Sequence, residues 1–232
     1  MSLHAASPVP ISIFRDDEPV IQSHPLLPGA VAPRFADTGC WDLNGVVRRT
    51  ANKTPYDWRI VFPDLPSGWN LRARELAMIW FNPRHPKMLE RDVHLRPQPS
   101  TPSTVHTRMG LLRGLAAWAV DHGLPAELRR WDPQALHGYL EHLRGQGLSE
   151  TSLVHRISLV KNLYRLGPAL ADGGLSADPW PGSSPAAALK LAATEELSTP
   201  AIDPQIWFPL VRAAWTYIDT LAPDILRAHA LW

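Results

Sequence analysis

The stretch SETSLVHRISLVKNLYRL, residues 149–166, decides the fold because its apolar side chains recur with the period of an α-helix. The residues that share one face, and that we expect in a core, are Leu153, Ile157, Val160, Leu163 and Tyr164. Beyond Glu150, the remaining surface offers hydroxyl, amide and cationic groups and no acid: Arg156 and Lys161 flank opposite edges of the apolar face, and the face opposite it carries Thr151, His155, Ser158, Asn162 and Arg165. Such groups bind phosphate oxygens and base edges, so this surface is a candidate ligand site. The alternative interpretation is a solvated face that happens to lack acids.

Two further helices are predicted before this one. The segment STVHTRMGLLRGLAAWAVDH is expected to begin near Ser103 or Thr104 and to stop at Gly123. Asp132 is expected to cap the helix PQALHGYLEHLRG, whose Pro133 takes the first position, where a missing N–H costs little. The predicted core positions are Val105, Met109, Leu112, Ala116, Ala119, Leu136, Tyr139, Leu140 and Leu143. The fold class is therefore mainly α, a small helical bundle.

The prolines divide the chain, because only 3 of the 24 fall within residues 103–168. Trp41, Trp58, Trp69 and Trp80 need a partner surface, which predicts a folded extension with one helix at LRARELAMIWF. The predicted division is a disordered tail over 1–37, a Trp-rich N-terminal extension over 38–100, a helical domain over 101–170, a linker with a short helix over 171–200, and a C-terminal segment over 201–232. In the last segment Pro209 should kink the helix or delay its start.

Basic charge is concentrated in the middle of the chain. Residues 34–102 carry 11 bases against 7 acids, and residues 103–167 carry 8 against 5, whereas both ends are net acidic. This favours a polyanionic partner for the middle, with a mixed solvated surface as the alternative. No apolar run approaches the roughly 20 residues of a membrane span, and the N-terminus lacks the pattern of a secretion signal. The single cysteine, Cys40, excludes an internal disulfide and fits a reducing cytoplasm.

The opening stretch resembles the third conserved helix of the core-binding domain of tyrosine recombinases, the phage-integrase and Xer-type family. The similarity rests on Ser152, on HRISLVK over 155–161 and on Tyr164, which match the family's hydroxyl, cation, aliphatic and aromatic positions. The segment STVHTRMGLLRGLAAWAVDHGL resembles the family's opening helix, and DPQALHGYLEHLRGQGLSETS resembles its second helix and link. DPWPG lies where the family often has Asn-Pro, and LSTPAIDPQIWFPLVRAAW is similar to the entry into the catalytic domain, so the resemblance covers about residues 101–220.

The resemblance implies a helical, SAM-like module that clamps one face of double-stranded DNA and self-associates on it. From the polar face described above, we expect the DNA contacts at Ser152, His155, Arg156 and Lys161 of the third helix, with Thr104 and Arg108 on the first. Arg156 is expected near a base edge and Lys161 at the phosphate backbone. The implied role is sequence-specific DNA binding within a site-specific recombinase or integrase, and no membrane association is expected.

Catalysis is not expected from this chain. The family cuts DNA with a tyrosine supported by Arg and a His-x-x-Arg box, and the sequence has no such box. Its tyrosines lie in the extension or on predicted helices, at Tyr56, Tyr139, Tyr164 and Tyr217. We therefore interpret 201–232 as the start of a truncated catalytic domain. The ten histidines are scattered without cysteine partners, so no metal or other cofactor is expected.

Two other functions remain open. One is a helix-turn-helix-like regulator built from the second and third helices, although the predicted six-residue link RGQGLS is longer than the usual turn. The other is a helical protein–protein interaction module with Trp-rich surfaces. A steep dependence of binding on salt would indicate DNA, whereas an apolar protein interface depends little on salt.

Overall fold

The computed structural model describes residues 11–190 and 202–230. The chain divides into two units, one ending at Leu191 and the other beginning at Ala192. The first unit contains the strands β1 (Cys40–Asp42) and β2 (Arg59–Val61) and the helices α1 (Asn70–Phe81), α2 (Pro86–Leu89), α3 (Pro102–Asp121), α4 (Pro133–Gly145), α5 (Glu150–Arg165) and α6 (Pro185–Ala188). Short 3₁₀ turns lie at Tyr56–Trp58, Leu128–Arg130 and Gly167–Ala169.

The predicted three-helix bundle is confirmed by α3, α4 and α5, with no strand between residues 101 and 170. α3 begins one residue earlier than predicted, because Thr101 is the cap and Pro102 takes the first position. Asp132 and Ser149 cap the other two helices through bonds from the backbone N–H groups of Gln134 and Ser152. The predicted core stripes of all three helices are buried together, including Val105, Leu112, Leu140, Leu153, Ile157 and Val160.

Two residues of α5 differ in burial from the prediction that was based on helical spacing. Tyr164, expected in the core, is 41% exposed, whereas Leu159 is buried. α5 also packs against α6, so its buried surface is wider than the one that α3 and α4 cover. The apolar stripe alone does not indicate this packing partner, because it lies later in the chain.

The four tryptophans of the extension are buried, but they belong to the same core as the bundle. β1 and β2 pair antiparallel, and Trp41 lies directly opposite Ile60. α1 matches its prediction and packs against α3, with every residue from Arg72 to Phe81 buried. Strands of three residues are too short to show an alternating pattern, so the sequence did not predict them.

The expectation that residues 1–37 are disordered is wrong for the described part, residues 11–37. Phe14, Val20, Ile21 and Phe35 are buried in the core of the first unit. The Arg74 guanidinium donates a hydrogen bond to the Phe35 carbonyl at 2.7 Å and lies over the Phe35 ring. Few aromatic residues are enough here, because Phe35 contacts Arg74 of α1 and Trp41 of β1, and Phe14 packs against Phe35 and His85. Residues 1–10 lie outside the described residues.

The predicted linker over 171–200 is, up to residue 190, part of the first unit. Leu175, Trp180 and Leu189 are buried in the common core. α6 is a single turn capped by Ser184, and the remainder of the predicted short helix lies outside the described residues. The link between α4 and α5 comprises only residues 146–149, so its length no longer argues against a helix-turn-helix arrangement.

The second unit contains α7 (Pro204–Thr216), a π-helical turn (Tyr217–Leu221) and α8 (Ala222–Ala230). Asp203 caps α7, and Pro209 lies inside this helix, which neither starts later nor ends there. The π turn ends two residues before Pro223, the second residue of α8, which has no N–H to donate to the carbonyl one turn earlier. The apolar side chains of these helices are largely exposed, among them Ile206, Trp207, Phe208, Trp215 and Leu226.

Candidate nucleic-acid interface

A basic cleft of about 800 Å³ lies beside α5 in the first unit. Its walls come from the end of α1, the segment before α3, the first turns of α3, the outer face of α5 and the segment that leads to α6. The polar side chains that line it are Arg96, Gln98, Ser100, Arg108, Ser158, Lys161, Asn162, Arg165 and Asp178. Four of these residues are cations and one is an acid, so the basic cleft is a site of net positive charge.

Arg108 forms the fixed part of the basic cleft. Its guanidinium lies 4.9 Å from the centre of the Trp80 ring and donates a hydrogen bond to Ser100 Oγ at 3.0 Å. Burial lowers the pKa of Arg108, but a guanidinium stays charged at neutral pH. Cation–π contact and the hydroxyl therefore hold this side chain in one orientation, which limits the entropy lost when an anion binds.

Lys161 does not have the open position that the sequence suggested. Its Nζ donates to both carboxylate oxygens of Asp178, at 2.6 and 2.9 Å, and to the carbonyl of Trp180 at 2.8 Å. These bonds use all three ammonium donors. Lys161 therefore fastens the segment before α6 onto α5, and its expected contact with the phosphate backbone is corrected to a structural contact.

Arg96 and Arg165 are the accessible cations of the basic cleft. Both are exposed, and within residues 11–190 neither makes an ion pair or a hydrogen bond. Arg165 follows Tyr164, whose exposed ring also lines the cleft. Sequence reasoning placed Arg165 on the outer face of the helix, but it did not select Arg96. Arg96 lies in an irregular segment, where no periodicity indicates which side chains face a common surface.

Arg156 lies on a different side of α5. Its Nη1 is 3.1 Å from the position that a Cβ of Gly114 would take, so it crosses α3 where that helix has no side chain. Arg156 Nε and the Tyr139 hydroxyl are both buried without a hydrogen-bond partner. Burial raises the pKa of Tyr139, and the nearby guanidinium of Arg156 opposes this rise. The expected base contact of Arg156 is therefore replaced by a position packed between the three helices of the bundle.

The remaining predicted DNA-binding residues are spread along the helices. His155 is exposed and Ser152 is half-buried in the first turns of α5. Thr104 is exposed, and its hydroxyl lies 3.0 Å from that of Thr101 at the cap of α3. The structure thus brings only Arg108 and Lys161 of the six predicted residues into the basic cleft.

Two kinds of site were searched for in the part of the chain that the structure describes: metal-binding clusters and membrane-spanning helices. Across residues 11–190 and 202–230, no three His, Cys, Asp or Glu side chains lie close enough to hold a metal ion. Over the same ranges, no helix combines the length and the apolar character needed to cross a membrane.

Comparisons with family models, with curated proteins and with solved structures found no match to this chain.

Proposed function

We propose that this chain binds double-stranded DNA through the basic cleft. The observation that carries the proposal is the convergence of Arg96, Arg108 and Arg165 on one surface, where Asp178 is already paired with Lys161. Three guanidinium groups without a carboxylate partner favour a polyanion, and guanidinium is the cation best suited to phosphate. The resemblance of residues 101–220 to a core-binding domain points to the same ligand.

The lining also contains groups that hydrogen-bond to sugar and phosphate. Ser100, Gln98 and Asn162 lie among the arginines, and Tyr164 is exposed beside them. Contacts of this type fix the position of a protein on DNA without reading its sequence. Sequence specificity would come from exposed side chains outside the cleft, for which His155 of α5 and Thr104 of α3 remain candidates.

Fluorescence anisotropy on a 30-base-pair duplex at 50 mM salt tests the proposal. Arg96→Ala combined with Arg165→Ala should weaken binding on all sequences and reduce the slope of log K against log salt by nearly two units, at about 0.9 per phosphate contact. The matched control is Arg15→Ala with Arg130→Ala, because both side chains are more than 70% exposed and lie outside the cleft. Equal affinity and slope in the two double variants would contradict the proposal.

The protein-interaction alternative has one observation in its favour. The second unit exposes large apolar side chains along both α7 and α8, which is unusual for a helix that remains in water. If this alternative holds, the chain should form a complex whose affinity changes little between 50 and 500 mM salt. Wild-type protein that fails to bind the duplex at 50 mM salt would favour this function over DNA binding.

A further inference from the structure

A second cavity borders the basic cleft at the C-terminal end of α5. It has a volume of about 750 Å³, which lies within the roughly 300–1,000 Å³ of cavities that hold small organic groups. Tyr164 and Arg165, the last two residues of α5, line both this cavity and the basic cleft. We call it the Tyr164 pocket. Its other walls come from the 3₁₀ turn before α4 and from the segment that follows α5, through Arg129, Pro168, Leu175 and Ser176.

Tyr164 offers an aromatic ring to the solvent from a fixed position on the backbone. The residue is 41% exposed, whereas Leu163 and Leu166 are fully buried and anchor the end of α5 in the core. Helical spacing had assigned Tyr164 to the core, but the folded protein does not use it there. A ring that borders two cavities and has no place in the core is available to a ligand.

Arg129 lies at the wall of the Tyr164 pocket. Its guanidinium packs against Gly173 so closely that a Cβ on this residue would collide with it. Gly173, which also lines the pocket, has a φ of +76°, a backbone conformation that residues with side chains rarely adopt. The close approach of glycine and guanidinium therefore places a cation on the rim of this cavity.

The charge of the Tyr164 pocket is positive. Arg129 and Arg165 line it, and no Asp or Glu among the described residues does. Glu127 lies two residues from Arg129 but is paired with Arg130 instead, at 4.0 Å. Over residues 11–190, the guanidinium groups of Arg129 and Arg165 have neither an ion pair nor a hydrogen bond, so both are available to an anion.

Apolar side chains complete the wall of the pocket. Pro168 is exposed, and its carbonyl accepts a hydrogen bond from Arg91 at 3.0 Å. Leu175 is held by the bond from its N–H to the Leu163 carbonyl at 3.3 Å. Aromatic and apolar surface beside two guanidinium groups suits a ligand with a flat ring and a negative charge. A nucleotide has both, in its base and its phosphate.

We propose that the Tyr164 pocket binds an unpaired nucleotide of a DNA whose duplex part lies in the basic cleft. The base stacks on Tyr164, and Arg129 and Arg165 contact the neighbouring phosphates. Bases within a duplex are covered by their neighbours, so only a base outside the stack can make this contact. The inference rests on the proposed function of the basic cleft and adds the substrate class, a duplex that carries a single-stranded extension.

Fluorescence anisotropy with three DNAs at 50 mM salt tests the proposal. The first is the blunt 30-base-pair duplex. The second carries in addition about five unpaired nucleotides, at the 3′ or the 5′ end in separate measurements, and the third carries the same number of abasic residues, which keep the phosphates and lack the bases. The wild type should bind the second DNA about tenfold more tightly than the third, for at least one of the two ends, because only the second can stack on the ring.

Variants assign this difference to individual side chains. Tyr164→Ala should remove the difference between the second and the third DNA, whereas Tyr164→Phe should keep it because the ring remains. Arg129→Ala should weaken binding of both extended DNAs by several-fold, through a lost phosphate contact. The matched control is Arg130→Ala, whose side chain is 72% exposed and lies outside the pocket, and it should bind all three DNAs as the wild type does.

Two results would overturn the inference alone. One is equal binding of the second and the third DNA by the wild type at both ends, which would show that no base is held. The other is a preference for bases that persists in Tyr164→Ala, which would place the base elsewhere. Binding of the blunt duplex in the same experiment would leave the function of the basic cleft intact. A wild type that bound none of the three DNAs would remove both the proposed function and this inference.

Discussion

Glu75 is an acidic residue that is almost fully buried, which makes its ionised form unfavourable. It lies in the middle of α1 with 1% of its surface exposed, and both carboxylate oxygens accept from the Ala171 N–H at 3.1 Å. Burial raises the pKa of Glu75 to about 7, and the nearby Asp172 acts in the same direction. Asp172 itself is paired with Arg72, whose charge only partly offsets the rise. Between pH 4.5 and about 7, the folded protein therefore holds a proton on Glu75 that the unfolded chain has released.

We expect this proton to make the free energy of unfolding depend on pH. The stabilising contribution of Glu75 to the free energy of unfolding is fully present below pH 4.5. It is lost progressively between pH 4.5 and about 7, because in this range Glu75 is still protonated in the folded state but ionised in the unfolded chain. The shift corresponds to about 3 kcal/mol. Glu75→Gln keeps a neutral side chain of similar shape and should remove this dependence. Urea unfolding of both proteins at pH 5 and pH 8 measures it.

The comparison between the two proteins isolates Glu75 from the other titrating groups. The wild type should lose more stability than Glu75→Gln when the pH rises from 5 to 8. Parallel losses in the two proteins would show that Glu75 is ionised in the fold at both pH values.

At the scale of elements, α5 and the segment before α6 are joined by one ion pair. Lys161 is 21% exposed and Asp178 is 20% exposed, so the pair is shielded from most solvent screening. Asp178 also accepts from the Trp180 N–H at 2.9 Å, which shapes the turn that buries Trp180. The ion pair between Lys161 and Asp178 thus holds the segment before α6 against α5 and positions one wall of the basic cleft.

Lys161→Ala should lower the free energy of unfolding by about 1–3 kcal/mol, because it leaves Asp178 partly buried without its cation. Arg165→Ala, on the same helix but exposed and unpaired, should change stability by less than about 0.5 kcal/mol. Chemical unfolding of the two variants gives both values. A Lys161→Ala protein of unchanged stability that bound DNA with a salt slope one unit lower would restore the original prediction for this residue.

Local signals explain which parts of the fold were predictable. The caps Asp132 and Ser149, the apolar stripes of α3 to α5 and the end of α1 before Pro83 all depend on residues within one or two turns. The partner of Lys161 lies 17 residues further along the chain, and nothing in the local pattern indicates it. Contacts between distant segments are set by tertiary packing, which periodicity does not encode.

The same limit explains why only part of the candidate site was predicted from the sequence. Helical spacing placed Arg165 on an outer face and Arg156 and Lys161 at opposite edges of α5. It did not reveal that Arg156 lies over Gly114 or that Asp178 neutralises Lys161. Both facts depend on which elements cover each edge of the helix. Arg96 was missed because it belongs to no periodic element.

At the scale of the whole molecule, one core draws side chains from nearly the entire first unit. Phe14 and Phe35 lie 5.5 Å apart between ring centres, and Phe35 also contacts Trp41 of β1. Leu189, from the other end of the unit, belongs to the same core. The N-terminal segment is therefore part of the fold that supports the basic cleft.

Phe35→Ala should destabilise the protein by about 3–5 kcal/mol, since it removes a large and fully buried ring. The control is Ile11→Ala, because Ile11 is 87% exposed and its truncation should be nearly neutral. Thermal unfolding followed by circular dichroism compares the two. A Phe35→Ala protein that melted together with the control would show that residues 11–37 do not contribute to the stability of the bundle.

The span of this core has a consequence for synthesis of the protein. A nascent chain that has emerged only to the end of α5 already contains all three bundle helices, but it lacks Leu175, Trp180 and Leu189. It also lacks Asp178, so Lys161 has no counter-ion at that stage. Apolar surface on α5 is then open to water and to other chains, which is the condition under which partly made proteins aggregate. The first unit can close its core only after residue 189 has been added and released.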